Sequence, residues 1–79
     1  MGLEREQLLQ RLAQRPNAVR FSELERLLGM YGWSLDRVRG SHHIFRKVGV
    51  ATALVVPMRR PHLLRVYVQQ VLAALESEE

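Results

Sequence analysis

Near the start of the chain, apolar residues recur at helical spacing. Leu8, Leu9, Leu12 and Ala13 fall at i, i+1, i+4 and i+5, one stripe of a helix. The spacing predicts a helix over Leu3–Gln14. Pro16 and Asn17 end it, because proline disfavours helical geometry in the residue before it. A second stripe, Leu24, Leu27, Leu28 and Tyr31, follows at i, i+3, i+4 and i+7. Ser22 reads as the N-cap of that helix, and Glu25 three residues on completes a capping box. Gly32 is the expected stop, since glycine tolerates the left-handed backbone of a helix C-terminus.

Beyond Gly32 the helical period disappears. Trp33–Arg39 suits a strand, Gly40-Ser41 a turn, and His42–Val48 a second strand. Val48-Gly49 reads as another turn. Ala51–Val56 is apolar and β-branched, a third strand ended by Pro57. Strands joined by short turns predict an antiparallel meander. Leu64–Leu75 predicts a last helix, with Leu64, Val68, Val71, Leu72 and Leu75 along one side. The expected class is therefore α+β in the order α-α-β-β-β-α, a three-stranded antiparallel sheet with helices packed on one face. Its α-β-β-β-α part resembles the double-stranded-RNA-binding-domain fold. The expected organisation is one domain over 1–79, with 1–17 an additional helix and 22–75 the core module.

Composition narrows the function classes. The 79 residues include no cysteine, so disulfides, thiolate metal sites and cysteine nucleophiles are excluded. No apolar run is long enough to span a bilayer, and the start lacks the layout of a signal peptide. The expected place is the cytoplasm, with no membrane partner. The net charge is +4, and its distribution is more informative. Up to Asp36, five arginines balance five acidic residues. From Arg37 to Arg65 there are seven basic residues and no Asp or Glu. A one-signed stretch attracts polyanions, and arginine forks match phosphate oxygens. A solvated basic face without a partner would carry the same charge.

Within that stretch lies Tyr31-Gly32-Trp33-Ser34-Leu35-Asp36-Arg37-Val38-Arg39-Gly40-Ser41-His42-His43-Ile44-Phe45-Arg46. A short helix, a Gly-Trp lead into a strand, a basic residue and then Gly-Ser-His-His-Ile-Phe resemble the HicA/YcfA family. Val55-Val56-Pro57, a histidine and a last helix containing Tyr67-Val68-Gln69-Gln70-Val71-Leu72 are also similar to that family. The resemblance covers about Ser22 to Leu75. It implies an RNA-cleaving toxin of a type II toxin–antitoxin system, held inactive by a HicB-like antitoxin. It places the catalytic histidine directly after Gly-Ser, at His42. Two features differ from the usual pattern: the helix before Ser22, and Pro57-Met58-Arg59-Arg60-Pro61-His62 where many members have Pro-x-His and a glycine turn.

The same chemistry can be argued from the residues, although a lone histidine at a strand start is more often structural than catalytic and it is the resemblance that favours catalysis at His42. RNA supplies its own nucleophile, the 2′-hydroxyl. A ribonuclease needing no metal or other cofactor requires a base, an acid, and cations on the phosphate. Histidine suits the first two tasks because imidazole titrates near neutrality, at about 6.5. Arg37, Arg39, Arg46, Lys47 and Arg59 are candidates for the third, substrate-binding task. Gly40 allows close backbone approach, and the Ser41 hydroxyl can bond phosphate or orient His42. His43 is a further substrate-binding candidate. On a strand, however, His42 and His43 point to opposite faces, and alternation alone leaves open which one is solvated. His62 fits a helix start or a phosphate contact better than catalysis. Trp33, Phe45 and Tyr67 read as core residues before base-stacking ones. Two other functions remain open: a non-catalytic nucleic-acid-binding module using the same face, and a degenerate interaction subunit of the same fold. For the latter, the stripe on the first helix would need a partner or a core.

Overall fold

The computed structural model describes residues 2–78. Its elements are α1 (Gly2–Gln14), α2 (Phe21–Met30), β1 (Ser34–Arg39), β2 (His42–Arg46), β3 (Leu54–Pro57) and α3 (Arg65–Glu76). The class is α+β and the order α-α-β-β-β-α, as the periodicities predict. The apolar stripes converge on one cluster. Leu12 of α1, Leu24 and Leu27 of α2, and Val68 and Leu75 of α3 are fully buried there, with Phe45 and Val56 from the sheet. Leu8 and Leu9 join them, so the stripe on α1 finds its cover within the chain. Across the top of α1, the Arg5 guanidinium lies 4.4 Å from the centroid of the Tyr31 ring, a cation–π contact.

Two stripe positions differ from expectation. Ala13 is exposed, and so is Leu64, at 44%. Leu64 is the extended N-cap of α3 and lies outside the helical period. Leu63 is buried in its place, its amide donating to the carbonyl of Val19 at 2.9 Å.

The start of α2 corrects the predicted cap. The helix begins at Phe21 with Arg20 as N-cap, so Ser22 and Glu25 do not form the box. Instead the backbone N–H of Arg20 donates to the Glu23 carboxylate at 2.9 Å. Glu23 wins because the connection after α1 delivers Arg15 to it. The two guanidinium nitrogens donate to the two carboxylate oxygens at 3.2 and 2.7 Å. The far end of α2 follows the glycine rule. Gly32 has φ +89°, the Trp33 amide donates to Leu28 at 2.9 Å, and the Gly32 amide donates to Gly29 at 3.1 Å. These two bonds are the Schellman closure, which satisfies carbonyls that the helix leaves open.

The strands are shorter than predicted. β1 starts at Ser34, after the helix closure has used the Trp33 amide. β2 stops at Arg46, because Lys47 to Val50 already form a turn, closed by Val50 N–H on Lys47 O at 3.1 Å with Gly49 at φ +84°. The chain rejoins the sheet only at Leu54. The sheet order is β1-β2-β3, antiparallel throughout, with β2 central.

Strand alternation then sorts side chains onto two faces. His43 pairs with Val56 and Phe45 with Leu54; Val56 and Phe45 are buried, so this is the helix-packed face. His42, Ile44 and their cross-strand partners Pro57 and Val55 lie on the other face. Among the described residues no helix covers that second face. All six residues of β1 are exposed, so even its inward side chains Leu35 and Val38 reach solvent.

Candidate functional site

The turn before His42 is built from two residues. Arg39 pairs with His42, leaving Gly40 and Ser41 as the loop. Gly40 has φ +58° and Ser41 does not share the positive φ, the pattern of a II′ hairpin turn, which requires glycine at its first position. The Ser41 carbonyl is then fixed from behind. The Met58 amide donates to it at 2.6 Å, and Nδ1 of His43 lies 3.2 Å away. The turn is thus tied to the chain leaving β3, and His42 starts its strand in a defined register.

His42 is exposed on the open face, directly across from Arg39. Facing cross-strand side chains approach closely enough to act on one group. Arg37 pairs with Ile44 and falls on the same face. Between Leu35 and Arg37 the register shifts, a β-bulge at Asp36. The bulge brings the Asp36 carboxylate to Arg37 at 3.2 Å and to Arg46 at 3.5 Å. These two arginines therefore share one counter-charge. Arg39 and Arg59 make no ion pair among the described residues.

His43 is separated from this set. Its ring lies on the helix side against Phe21, centroids 4.6 Å apart and tilted by 57°. Lys47 is separated too. Its ammonium donates to Glu78 at 2.7 Å, and the other carboxylate oxygen of Glu78 accepts from the Trp33 indole at 3.0 Å. The tract that contains no acid in sequence is thus met in space by Asp36 and Glu78. Gly40, Ser41, His42, Arg37, Arg39 and Arg46 come together on or beside the open face; His43 and Lys47 do not. Arg59 lies beyond β3, in the wall of a cleft of about 400 Å³ that opens at the start of α2.

That cleft holds two residues the charge pattern passed over, Arg20 and Arg60. Arg20 sits in the charge-balanced first part of the chain, three residues before Glu23, whose carboxylate it also attracts at longer range. In the fold Glu23 belongs to Arg15. Hydrogen bonds from Arg15, and then from the Arg20 backbone amide, hold the Glu23 carboxyl at about 2. The same hydrogen bond raises Arg15 above its ordinary value. Among the described residues no three His, Asp or Glu side chains gather in the way a metal ion needs, and no helix is long and apolar enough to cross a membrane.

Comparison with known proteins identifies a family. A family model described as the HicA toxin of bacterial toxin–antitoxin matches residues 21–76, from the start of α2 to the end of α3. No curated protein and no solved structure matches the chain.

Proposed function

The chain belongs to the HicA toxin family of bacterial toxin–antitoxin systems, and from that premise we propose that it is a metal-independent endoribonuclease that cleaves mRNA through His42. The observation that carries the reading is the placement of His42. It is exposed on the uncovered sheet face, opposite an arginine that makes no ion pair among the described residues.

The reaction follows from that placement. His42 takes the proton of a ribose 2′-hydroxyl as general base. The 2′-oxygen forms a bond to the adjacent phosphorus, and the bond from phosphorus to the 5′-oxygen breaks. The leaving oxygen takes a proton from water, and His42 returns its own to solvent. The products are a 2′,3′-cyclic phosphate and a 5′-hydroxyl. Arg39, with Arg37 and Arg46 behind it, stabilises the charge that develops on the phosphoryl oxygens. Gly40 and Ser41 supply a turn with no bulky side chain before His42, so backbone and hydroxyl can approach the phosphate. Arg59 contacts the RNA strand farther along. His43 acts through Ser41 and Phe21 as a positioning residue, and Lys47 holds the end of the chain.

The antitoxin implied by the family is, in this reading, a HicB-like protein that covers His42 and places acidic side chains against the basic face. The chain works in the cytoplasm as one domain over 1–79, with residues 1–17 added to the 22–75 module. A second reading, binding without cleavage, has its own support: His42 is the one acid–base side chain among the strand residues of the open face apart from Asp36, which is taken by two arginines.

The test is incubation of the chain and of His42→Ala with single-stranded RNA in EDTA, followed by analysis of the product ends. Cleavage by the parent alone, leaving cyclic phosphate, is expected. Equal cleavage by both proteins would remove His42 from the mechanism. Salt-sensitive binding by both without cleavage would establish the second reading.

A further inference from the structure

We propose that the cleft at the start of α2 is a second phosphate subsite, which grips the RNA backbone next to the phosphate at His42; the proposal rests on the reading of the open face as an RNA site. Arg20, Phe21 and Ser22 at the start of α2 and Met58, Arg59 and Arg60 after β3 line a space of about 400 Å³. Three of these side chains are arginines, and no carboxylate lines the space. None of the three makes an ion pair among the described residues. Glu23, the acid nearest in sequence, is already held by both nitrogens of Arg15 and by the Arg20 amide. Three like charges around a concave space repel one another and gain when an anion enters.

The cleft is joined to the chemistry by covalent and hydrogen-bonded structure. Pro57 is the cross-strand partner of His42, and Met58, the next residue, donates to the carbonyl of Ser41, the residue before His42. One lining residue of the cleft thus lies against the turn that precedes His42, and in this proposal a strand with a phosphate at His42 reaches the cleft as it passes that turn. The wall also contains an aromatic ring. Phe21 is half-buried, packed against His43 and Phe45, and an aromatic ring among arginines suits single-stranded RNA better than an acidic protein segment.

The experiment is the salt dependence of binding to a 2′-O-methylated RNA oligonucleotide, which cannot be cleaved because its nucleophile is blocked. The parent is compared with the double change Arg20→Gln/Arg60→Gln, alongside a cleavage assay of the parent on unmodified RNA. For single strands each phosphate contact contributes about 0.7 to the slope of log affinity against log salt, so the double change is expected to lower the slope by about 1.4. Thermal melts check that the variant folds. If it does not, Arg20→Gln and Arg60→Gln are measured singly, each expected to lower the slope by about 0.7. An unchanged slope overturns the subsite and leaves the cleft to an acidic protein segment, whether or not the parent cleaves RNA. A lowered slope from a parent that cleaves nothing keeps the subsite and sinks the nuclease. A parent that binds no RNA overturns both.

Discussion

The ring of His43 packs on the ring of Phe21 at 4.6 Å between centroids, while His42, one residue earlier, lies exposed on the opposite sheet face. Substituting each with alanine should therefore give different losses. His42→Ala is expected to lower RNA cleavage by about 10²–10⁴-fold, the usual share of a general base. Its stability should stay within about 0.5 kcal/mol of the parent, as for other surface changes. His43→Ala should cost about 1 kcal/mol through the lost aromatic pair, and His43→Phe should recover most of it. Melting curves and cleavage rates on the three variants make the comparison. A His43→Ala protein with unchanged melting and no cleavage would transfer the chemistry to His43.

Leu12 connects the first helix to the rest. It is fully buried in the shared cluster. Leu12→Ala should destabilise by about 2–5 kcal/mol, from lost transfer energy and the cavity left behind. In a domain this small each kcal/mol lowers the melting temperature by about 4–8 °C. Urea unfolding would measure the loss directly. A change below about 1 kcal/mol would show that α1 is dispensable to the fold.

Glu23 makes stability depend on acid. Hydrogen bonds from Arg15 and from the Arg20 amide hold its carboxyl at about 2 in the folded chain, against 4.5 without them. Between those values the unfolded chain binds more protons than the folded one, so stability rises with pH across the window. The contribution is complete above about 4.5 and fades as pH falls through about 2. For a partly exposed pair it amounts to about 1 kcal/mol after solvent screening. Glu23→Gln should flatten the stability curve over that range while the parent slopes. Parallel curves would show that the pair contributes nothing.

Two cations of the same tract should behave oppositely toward RNA. Arg39→Gln removes a charge beside His42 that makes no ion pair among the described residues, and is expected to lower the salt slope of single-stranded RNA binding by about 0.7. Lys47→Gln breaks the pair with Glu78 instead, leaving RNA binding nearly unchanged and costing up to about 1 kcal/mol of stability. Equal slope losses from the two variants would mean that Lys47 also reaches the RNA.

Helix stripes and turn glycines are local, and they were readable from the sequence. The Leu24–Tyr31 stripe, the Gly32 stop and the Gly40-Ser41 and Val48-Gly49 turns all have the expected structure. What sequence could not supply came from partners distant along the chain. Ser22 and Glu25 satisfy a capping pattern, yet Arg15 recruits Glu23 and moves the cap. Lys47 looks like any other cation of the tract until Glu78, 31 residues away, takes it. Which histidine meets solvent depended on Phe45 and Val56 committing one sheet face to the helices. The Arg20 cleft was hidden because charge counted along a stretch does not show which acid holds which base.

The two histidines after Ser41 are the same residue type on neighbouring positions, and the fold distinguishes them by parity alone. A loop of two residues puts the first outward and the second inward. One residue inserted at Gly40-Ser41, with β2 sliding in step, would exchange them, bringing Phe45 to the surface with the second. Chain length at this turn is therefore as much a determinant of the site as the imidazole itself. Insertions that the Lys47–Val50 turn and the stretch after it can absorb should be tolerated there and lethal to activity here.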